Sequence, residues 1–118
     1  MTTGFEVHTH GDSQVVVWSN MKADSDGVQL PSVFLDVNTV SFSGHFDKAE
    51  VVIEGSAGGV FYPLETLKGG IVSSMSSGIE NLHGRYMSIR PKIIGGTEDT
   101  NITIHLFCDT IKKRRLGK

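Results

Sequence analysis

The chain has 118 residues, of which 38% are apolar and 20% are charged, totals that fit a single soluble globular domain with its own core. The one cysteine, Cys108, excludes an internal disulfide framework, and no apolar run approaches the roughly 18 residues of a membrane span. The N-terminus lacks a basic start followed by an apolar segment, so we expect no signal peptide. Synthesis in a cytosol-like compartment is therefore predicted.

Charge is distributed unevenly along the chain. Residues 111–118 hold five basic side chains and no acid, whereas residues 1–110 hold six basic and 13 acidic side chains, a charge of −7. A nucleic-acid-binding body would be basic, so the acidic body argues against direct binding of nucleic acid. The basic C-terminal tail predicts contact with an anionic partner. The candidate partner-binding residues are Lys112, Lys113, Arg114 and Arg115.

Three segments in the body alternate between apolar and polar residues. In the first, Val40 and Phe42 share a face. In the second, Val51 and Ile53 lie opposite glutamates and a valine. The third contains three apolar residues, Ile102, Ile104 and Leu106, opposite polar ones. This period of two predicts strands with one buried and one wet face. We expect the residues of the second and third segments, Val51, Ile53, Ile102, Ile104 and Leu106, to share a single core with Ile89.

Further strands are predicted on either side of these segments. Residues 1–12 lack clear periodicity and predict an N-terminal arm, after which Gln14–Trp18 is rich in β-forming residues. Asp26-Gly27 predicts a turn. Tyr86–Ile94 predicts a long strand with Met87 inward, and Pro91 places it at an edge or a bulge.

Glycine pairs separate the predicted strands, and no segment shows a helical stripe longer than two turns. About seven or eight short strands with Gly-rich turns predict an all-β fold, an antiparallel β-sandwich or jelly roll. We assign residues 1–12 to the arm, 13–110 to the sandwich and 111–118 to the basic tail.

No catalytic motif is recognisable in the sequence. A nucleophile elbow and a phosphate-binding loop before a helix are both missing. Residues 24–27 resemble the start of a calcium loop, but Leu35 stands where the pattern needs glutamate. We therefore predict no enzymatic activity, no cofactor and no metal.

Two weaker ligand-binding patterns remain as alternatives. His8-x-His10 could chelate a metal weakly, although Cys108 is too far away in sequence to complete a known pattern. Trp18 and Tyr86 could stack on a sugar. Since both lie in alternating β runs, packing inside the sandwich is the favoured interpretation.

Nine short sequence stretches follow one another in a characteristic order between Gln14 and Phe107. The stretches are Val15-Val16-Val17-Trp18, Asp24-Ser25-Asp26-Gly27, Leu30-Pro31, Val40-Ser41-Phe42-Ser43-Gly44-His45-Phe46, Val51-Val52-Ile53-Glu54-Gly55-Ser56, Phe61-Tyr62-Pro63-Leu64, Arg85-Tyr86-Met87-Ser88-Ile89-Arg90-Pro91, Gly95-Gly96 and Ile102-Thr103-Ile104. In this order the chain resembles a family of small virion proteins of tailed bacteriophages, often encoded beside the major capsid protein. It departs from the family at Ser56-Ala57-Gly58-Gly59, where Ser-Asn-Asp-Gly is usual.

The resemblance implies a structural component of the virion, made in the cytoplasm of the bacterial host. Its expected role is that of a capsid decoration or cement protein that binds the major capsid protein. We expect it to self-associate as well, as a trimer on a threefold site. Two other roles stay open, an adhesion or carbohydrate-binding module of a tail or fibre, and a component of the head–tail connector. In a cement protein, the N-terminal arm and the basic tail would both act as attachment segments.

Overall fold

The computed structural model describes residues 2–11, 13–31, 35–56, 59–66, 73–83 and 88–110. These residues form thirteen strands, of which seven contain five residues or more. The strands are β1 (Thr2–Thr3), β2 (Glu6–His10), β3 (Ser13–Met21), β4 (Asp26–Gly27), β5 (Leu30–Pro31), β6 (Leu35–His45), β7 (Ala49–Ser56), β8 (Phe61–Pro63), β9 (Glu65–Thr66), β10 (Ser73–Ser74), β11 (Gly78–His83), β12 (Ser88–Gly95) and β13 (Asn101–Thr110).

The strands form two sheets that pack as a β-sandwich, which confirms the predicted all-β fold. A seven-stranded sheet has the order β1-β4-β12-β7-β10, with β5 also paired to β12 and β8 to β7. A six-stranded sheet has the order β2-β3-β13-β6-β11-β9. All pairings are antiparallel apart from the short parallel pair of β1 and β4, so the strand order is set largely by antiparallel ladders.

The core lies between the two sheets and contains the residues that the alternation predicted. Val51, Ile53 and Ile89 reach it from the seven-stranded sheet. The six-stranded sheet contributes the other predicted core residues, Ile102, Ile104 and Leu106, together with Val40 and Phe42 of the first alternating segment. The prediction of one shared core is therefore confirmed. Tyr86 and Met87 lie outside the described residues.

Trp18 is buried in this core and fixes the position of the chain around Gly27. Its indole nitrogen donates a hydrogen bond to the carbonyl oxygen of Val28 at 3.0 Å. A Cβ atom on Gly27 would lie 2.6 Å from the Pro91 ring and 2.7 Å from the Trp18 ring. Only glycine allows this close approach, because such separations are well below van der Waals contact.

Two local predictions are wrong in this region. Asp26-Gly27 was expected to form a turn, but it forms β4, paired with β1 on one side and with Lys92 of β12 on the other. Pro91 was expected at an edge or a bulge, but β12 lies between β7 and β4, and its ladder with β7 continues through Pro91 opposite Ile53 without a register shift. On its other side, β12 changes partner from β5 to β4 at this proline.

The N-terminal segment expected to form an arm contributes to both sheets. Thr2–Thr3 pairs with β4 in the seven-stranded sheet, and Glu6–His10 pairs with β3 in the six-stranded sheet. Between them, the Phe5 ring packs edge-on against Trp18, with centroids 5.6 Å apart. The strand signal was weak because only Phe5 and Val7 are apolar in an otherwise polar alternation.

Candidate interaction surfaces

The four basic residues proposed as a partner contact, Lys112, Lys113, Arg114 and Arg115, lie outside the described residues, as does the whole of 111–118. Strand β13 ends at Thr110, immediately before this tail. The tail therefore remains a prediction, and the surfaces described here belong to the sandwich itself.

Of the two aromatic residues considered for sugar stacking, Tyr86 lies outside the described residues. Trp18 is buried against Phe5 and the core, which confirms the prediction that it packs inside the sandwich. Tyr62 on β8, by contrast, is 66% exposed. Its neighbour Phe61 lies under the Arg90 guanidinium, whose carbon is 4.0 Å from the ring centroid. Tyr62 is thus the exposed ring of this pair.

The histidines of β2 and the cysteine of β13 lie in separate environments. His8 and His10 are exposed on an edge strand, whereas Cys108 is buried in the core. Among the residues described by the structure, no group of three or more histidine, cysteine, aspartate and glutamate side chains is placed to hold a metal ion. His8, His10 and Cys108 are therefore not brought together.

One end of the sandwich is fixed by a network of turns. Asp24 accepts a hydrogen bond from the Gly95 backbone nitrogen at 2.8 Å and donates its own backbone N–H to the Gly95 carbonyl at 3.1 Å. The Thr97 hydroxyl bonds the Asp47 carboxylate, and the Thr100 hydroxyl donates to the Phe46 carbonyl at 3.1 Å. These acids already have protein partners, so the network is structural.

The outer face of the seven-stranded sheet is charged. The Arg90 Nε atom lies 3.0 Å from Glu54 Oε1, and Glu54 is buried although it points away from the core. Beside this pair, Lys92 stands opposite Asp26 on β4. The arrangement pairs charges within the sheet, and Phe61 covers the arginine. We call this surface the charged face.

The outer face of the six-stranded sheet has a different composition. Opposed residues of antiparallel strands share a face, so the pairing register places two rows of five residues there. One row contains Glu6, Val17, His105, Ser41 and Ile79, and the other contains His8, Val15, Phe107, Thr39 and Asn81. Neither row contains lysine or arginine.

Apolar side chains stand out among the small polar residues of these two rows. Phe107 is 40% exposed near the centre, and Ile79 is 70% exposed near one edge. Around them lie hydroxyl groups, including that of Thr39, which donates a hydrogen bond to Asn81 Oδ1 at 3.0 Å. The surface therefore offers apolar contact area and neutral hydrogen-bonding groups. We call it the neutral face.

Sequence reasoning identified β3, β6 and β13 of this face but not β2 or β11, and it missed the face itself. Val15, His105 and Thr39 come from distant parts of the chain, and only the register brings them side by side. The available signal was that three successive outward positions of β13, residues 103, 105 and 107, are threonine, histidine and phenylalanine. This pattern is unusual for a wet face, since charged residues are normally enriched there.

No helix that could cross a membrane occurs among the residues that were described. Comparisons of the chain with protein-family models, curated proteins and solved structures found no match.

Proposed function

We propose that the protein is a structural component of a tailed-bacteriophage virion, a capsid cement or decoration protein that stabilises the head by binding major capsid subunits. The observation that carries this proposal is the neutral face, which presents Phe107 and Ile79 on a rigid sheet. The order of sequence stretches that resembles small virion proteins supplies the biological context.

The neutral face suits protein binding because it has little charge to desolvate. Interface centres are depleted in charged residues and enriched in aromatic ones. Phe107 lies between Val15 and Thr39, so a partner covering it would bury apolar area and find hydroxyl groups close by. A cement protein needs this kind of surface, since its effect depends on binding free energy and not on chemistry.

The basic tail would supply a second contact. Residues 112–115 are all lysine or arginine, and a single residue separates them from the end of the last strand. A folded contact together with a tethered basic segment gives avidity when both can engage one particle. Neutralising Lys112, Lys113, Arg114 and Arg115 should weaken attachment and flatten its dependence on salt concentration. If attachment of the neutralised variant depends on salt concentration as strongly as attachment of the wild type, the tail does not contribute to binding.

The carbohydrate-binding alternative has lost its main candidate, because Trp18 is buried. Among the described residues it now depends on Tyr62, an exposed ring, and Tyr86 lies outside those residues. A glycan array probed with the wild-type protein and with Tyr62→Ala tests it. Glycan binding that disappears in the variant would favour an adhesion module over a cement protein.

The test of the cement role uses particles that lack the protein. Phe107→Asp places a charge at the centre of the neutral face, whereas Ile94→Asp places one on the outer face of the seven-stranded sheet, where Ile94 is 45% exposed. We expect Phe107→Asp to bind particles about tenfold or more weakly, because truncated or charged interface anchors lose that much affinity. Ile94→Asp should bind like the wild type.

The same particles show whether binding stabilises the shell. A protein that binds the assembled shell and not loose subunits raises the temperature at which packaged DNA is released. We expect wild type and Ile94→Asp to raise this temperature and Phe107→Asp to raise it less. If particles with and without the wild-type protein release DNA at the same temperature, the cement role is wrong and a connector or tail role replaces it.

A further inference from the structure

We propose that β2 is a dimer contact, at which β2 of a second copy pairs antiparallel with it and extends the six-stranded sheet across a twofold axis. This goes beyond the virion role and does not depend on it. It also differs from the threefold association expected from the resemblance.

The outer edge of β2 is open. Glu6–His10 pairs with β3 along one side, and no described residue pairs along the other. All five residues are exposed. The edge therefore presents unpaired backbone N–H and C=O groups, which is the template that another strand needs.

Natural edge strands are usually protected against such pairing by lysine, proline, a bulge or a charge that points inward. The opposite side of the same sheet has this protection where β9 does not pair with β11, because Glu80 of β11 stands opposite the buried Val40 and so lies on the core-facing side. On β2 the core-facing residues are Val7 and Thr9, which are uncharged. The two edges of one sheet are thus built differently.

Val7 gives a second reason to expect a partner. It stands opposite Val16, which is fully buried, yet Val7 itself is 47% exposed. An apolar side chain on the core-facing side remains wet because the sheet stops at β2. A further strand beside β2 would cover Val7 and extend the apolar inner surface.

The sequence of β2 is complementary to itself when two copies run antiparallel. With the twofold axis at His8, Glu6 of each copy stands opposite His10 of the other, and Val7 stands opposite Thr9. The imidazole can donate a hydrogen bond to the carboxylate in both pairs. A parallel arrangement in register would instead place Glu6 beside Glu6, which is unfavourable.

The expected association is weak in dilute solution. Stable interfaces bury roughly 800 Å² on each partner, and two five-residue strands cover less. Sedimentation equilibrium from about 1 μM to 1 mM, a range that brackets weak association, should show the mass rising from one chain toward two. A single-chain mass throughout, or a limit of three chains, would overturn the proposal.

A charge exchange tests the register. His10→Glu places glutamates opposite each other twice and should weaken self-association about tenfold. Glu6→His places histidines opposite each other, so a mixture of the two variants should form mixed dimers with two restored Glu–His pairs. Unchanged association of His10→Glu, or no mixed dimer, contradicts this pairing. All these side chains are exposed, so both variants should keep the melting temperature of the wild type.

A cysteine at the axis gives a direct geometric test. His8→Cys would place two thiols in directly opposed positions, where Cα atoms are about 4.5–5.5 Å apart and a disulfide can form. In the matched control His10→Cys the two cysteines would be separated by four residues along the strands, about 14 Å. Under mild oxidation we expect dimers from His8→Cys only. Equal crosslinking of both variants would contradict an axis at His8.

Discussion

The two outer faces of the sandwich have similar strand backbones but different side chains. On the charged face, Arg90 donates from Nε to Glu54 and lies over the Phe61 ring, so its charge has a partner within the molecule. Both faces expose apolar side chains, Ile94 on the charged face and Phe107 and Ile79 on the neutral face. The two faces therefore differ mainly in charge, and a partner that covers the neutral face has fewer charged groups to desolvate.

The difference follows from single positions in alternating strands. On β7 and β12 one outward pair is an acid and a base, Glu54 opposite Arg90, whereas on β13 and β6 the outward pair His105 and Ser41 contains no such ion pair. Because register decides which residues meet, the same alternation yields an ion pair on one sheet and a neutral row on the other. Mutations on each face can therefore measure its contribution to the fold and to partner binding separately.

The largest expected effect comes from the core that both faces share. Leu106→Ala removes a buried side chain from the strand that carries Phe107, and we expect a loss of about 2–5 kcal/mol in the free energy of unfolding. Ile53→Ala in the other sheet should cost a similar amount. Urea unfolding measures both, and a cost below about 1 kcal/mol for either would contradict one continuous core.

The close approach at Gly27 is expected to have the next largest effect. Gly27→Ala puts a methyl group against the Pro91 and Trp18 rings, and overpacking of this kind costs about 1–3 kcal/mol. A matched control is Gly78→Ala, where a Cβ atom would meet nothing within 4 Å. Thermal unfolding should show a lower melting temperature for the first variant alone. Equal melting temperatures would mean that the rings move apart at little cost.

The charged face should contribute a similar amount to stability. Arg90→Ala leaves the buried Glu54 carboxylate without its partner and uncovers Phe61, so we expect a loss of about 1.5–3 kcal/mol. Glu54→Gln with Arg90 intact is the companion variant. If Arg90→Ala changes stability by less than about 0.5 kcal/mol, the ion pair behaves as an exposed one and the contrast between the faces weakens.

Local alternation predicted the core well and the surfaces poorly. Val40, Phe42 and Ile104 follow directly from a period of two. Glu54 was assigned to a wet face, yet it is buried because Arg90 and Phe61, distant in sequence, cover that part of the sheet. The strand β2 was missed because one valine and one threonine gave too little apolar signal. Pairing between distant strands, which creates both faces, is not encoded in any single window of sequence.

The smallest expected effect lies on the neutral face. Thr39 donates its hydroxyl hydrogen bond to Asn81 across β6 and β11, and both side chains are accessible to water. Thr39→Val keeps the β-branched shape and removes the hydroxyl, and water can satisfy the amide that is left. We therefore expect a change in stability within about 0.5 kcal/mol.

If the face binds a partner, the same substitution should still alter affinity, because burial would leave Asn81 without its hydrogen bond. Urea unfolding and particle binding measured on one preparation compare the two quantities. A stability loss above about 1 kcal/mol would show that the neutral face also maintains the fold, and the division of roles between the faces would then be wrong.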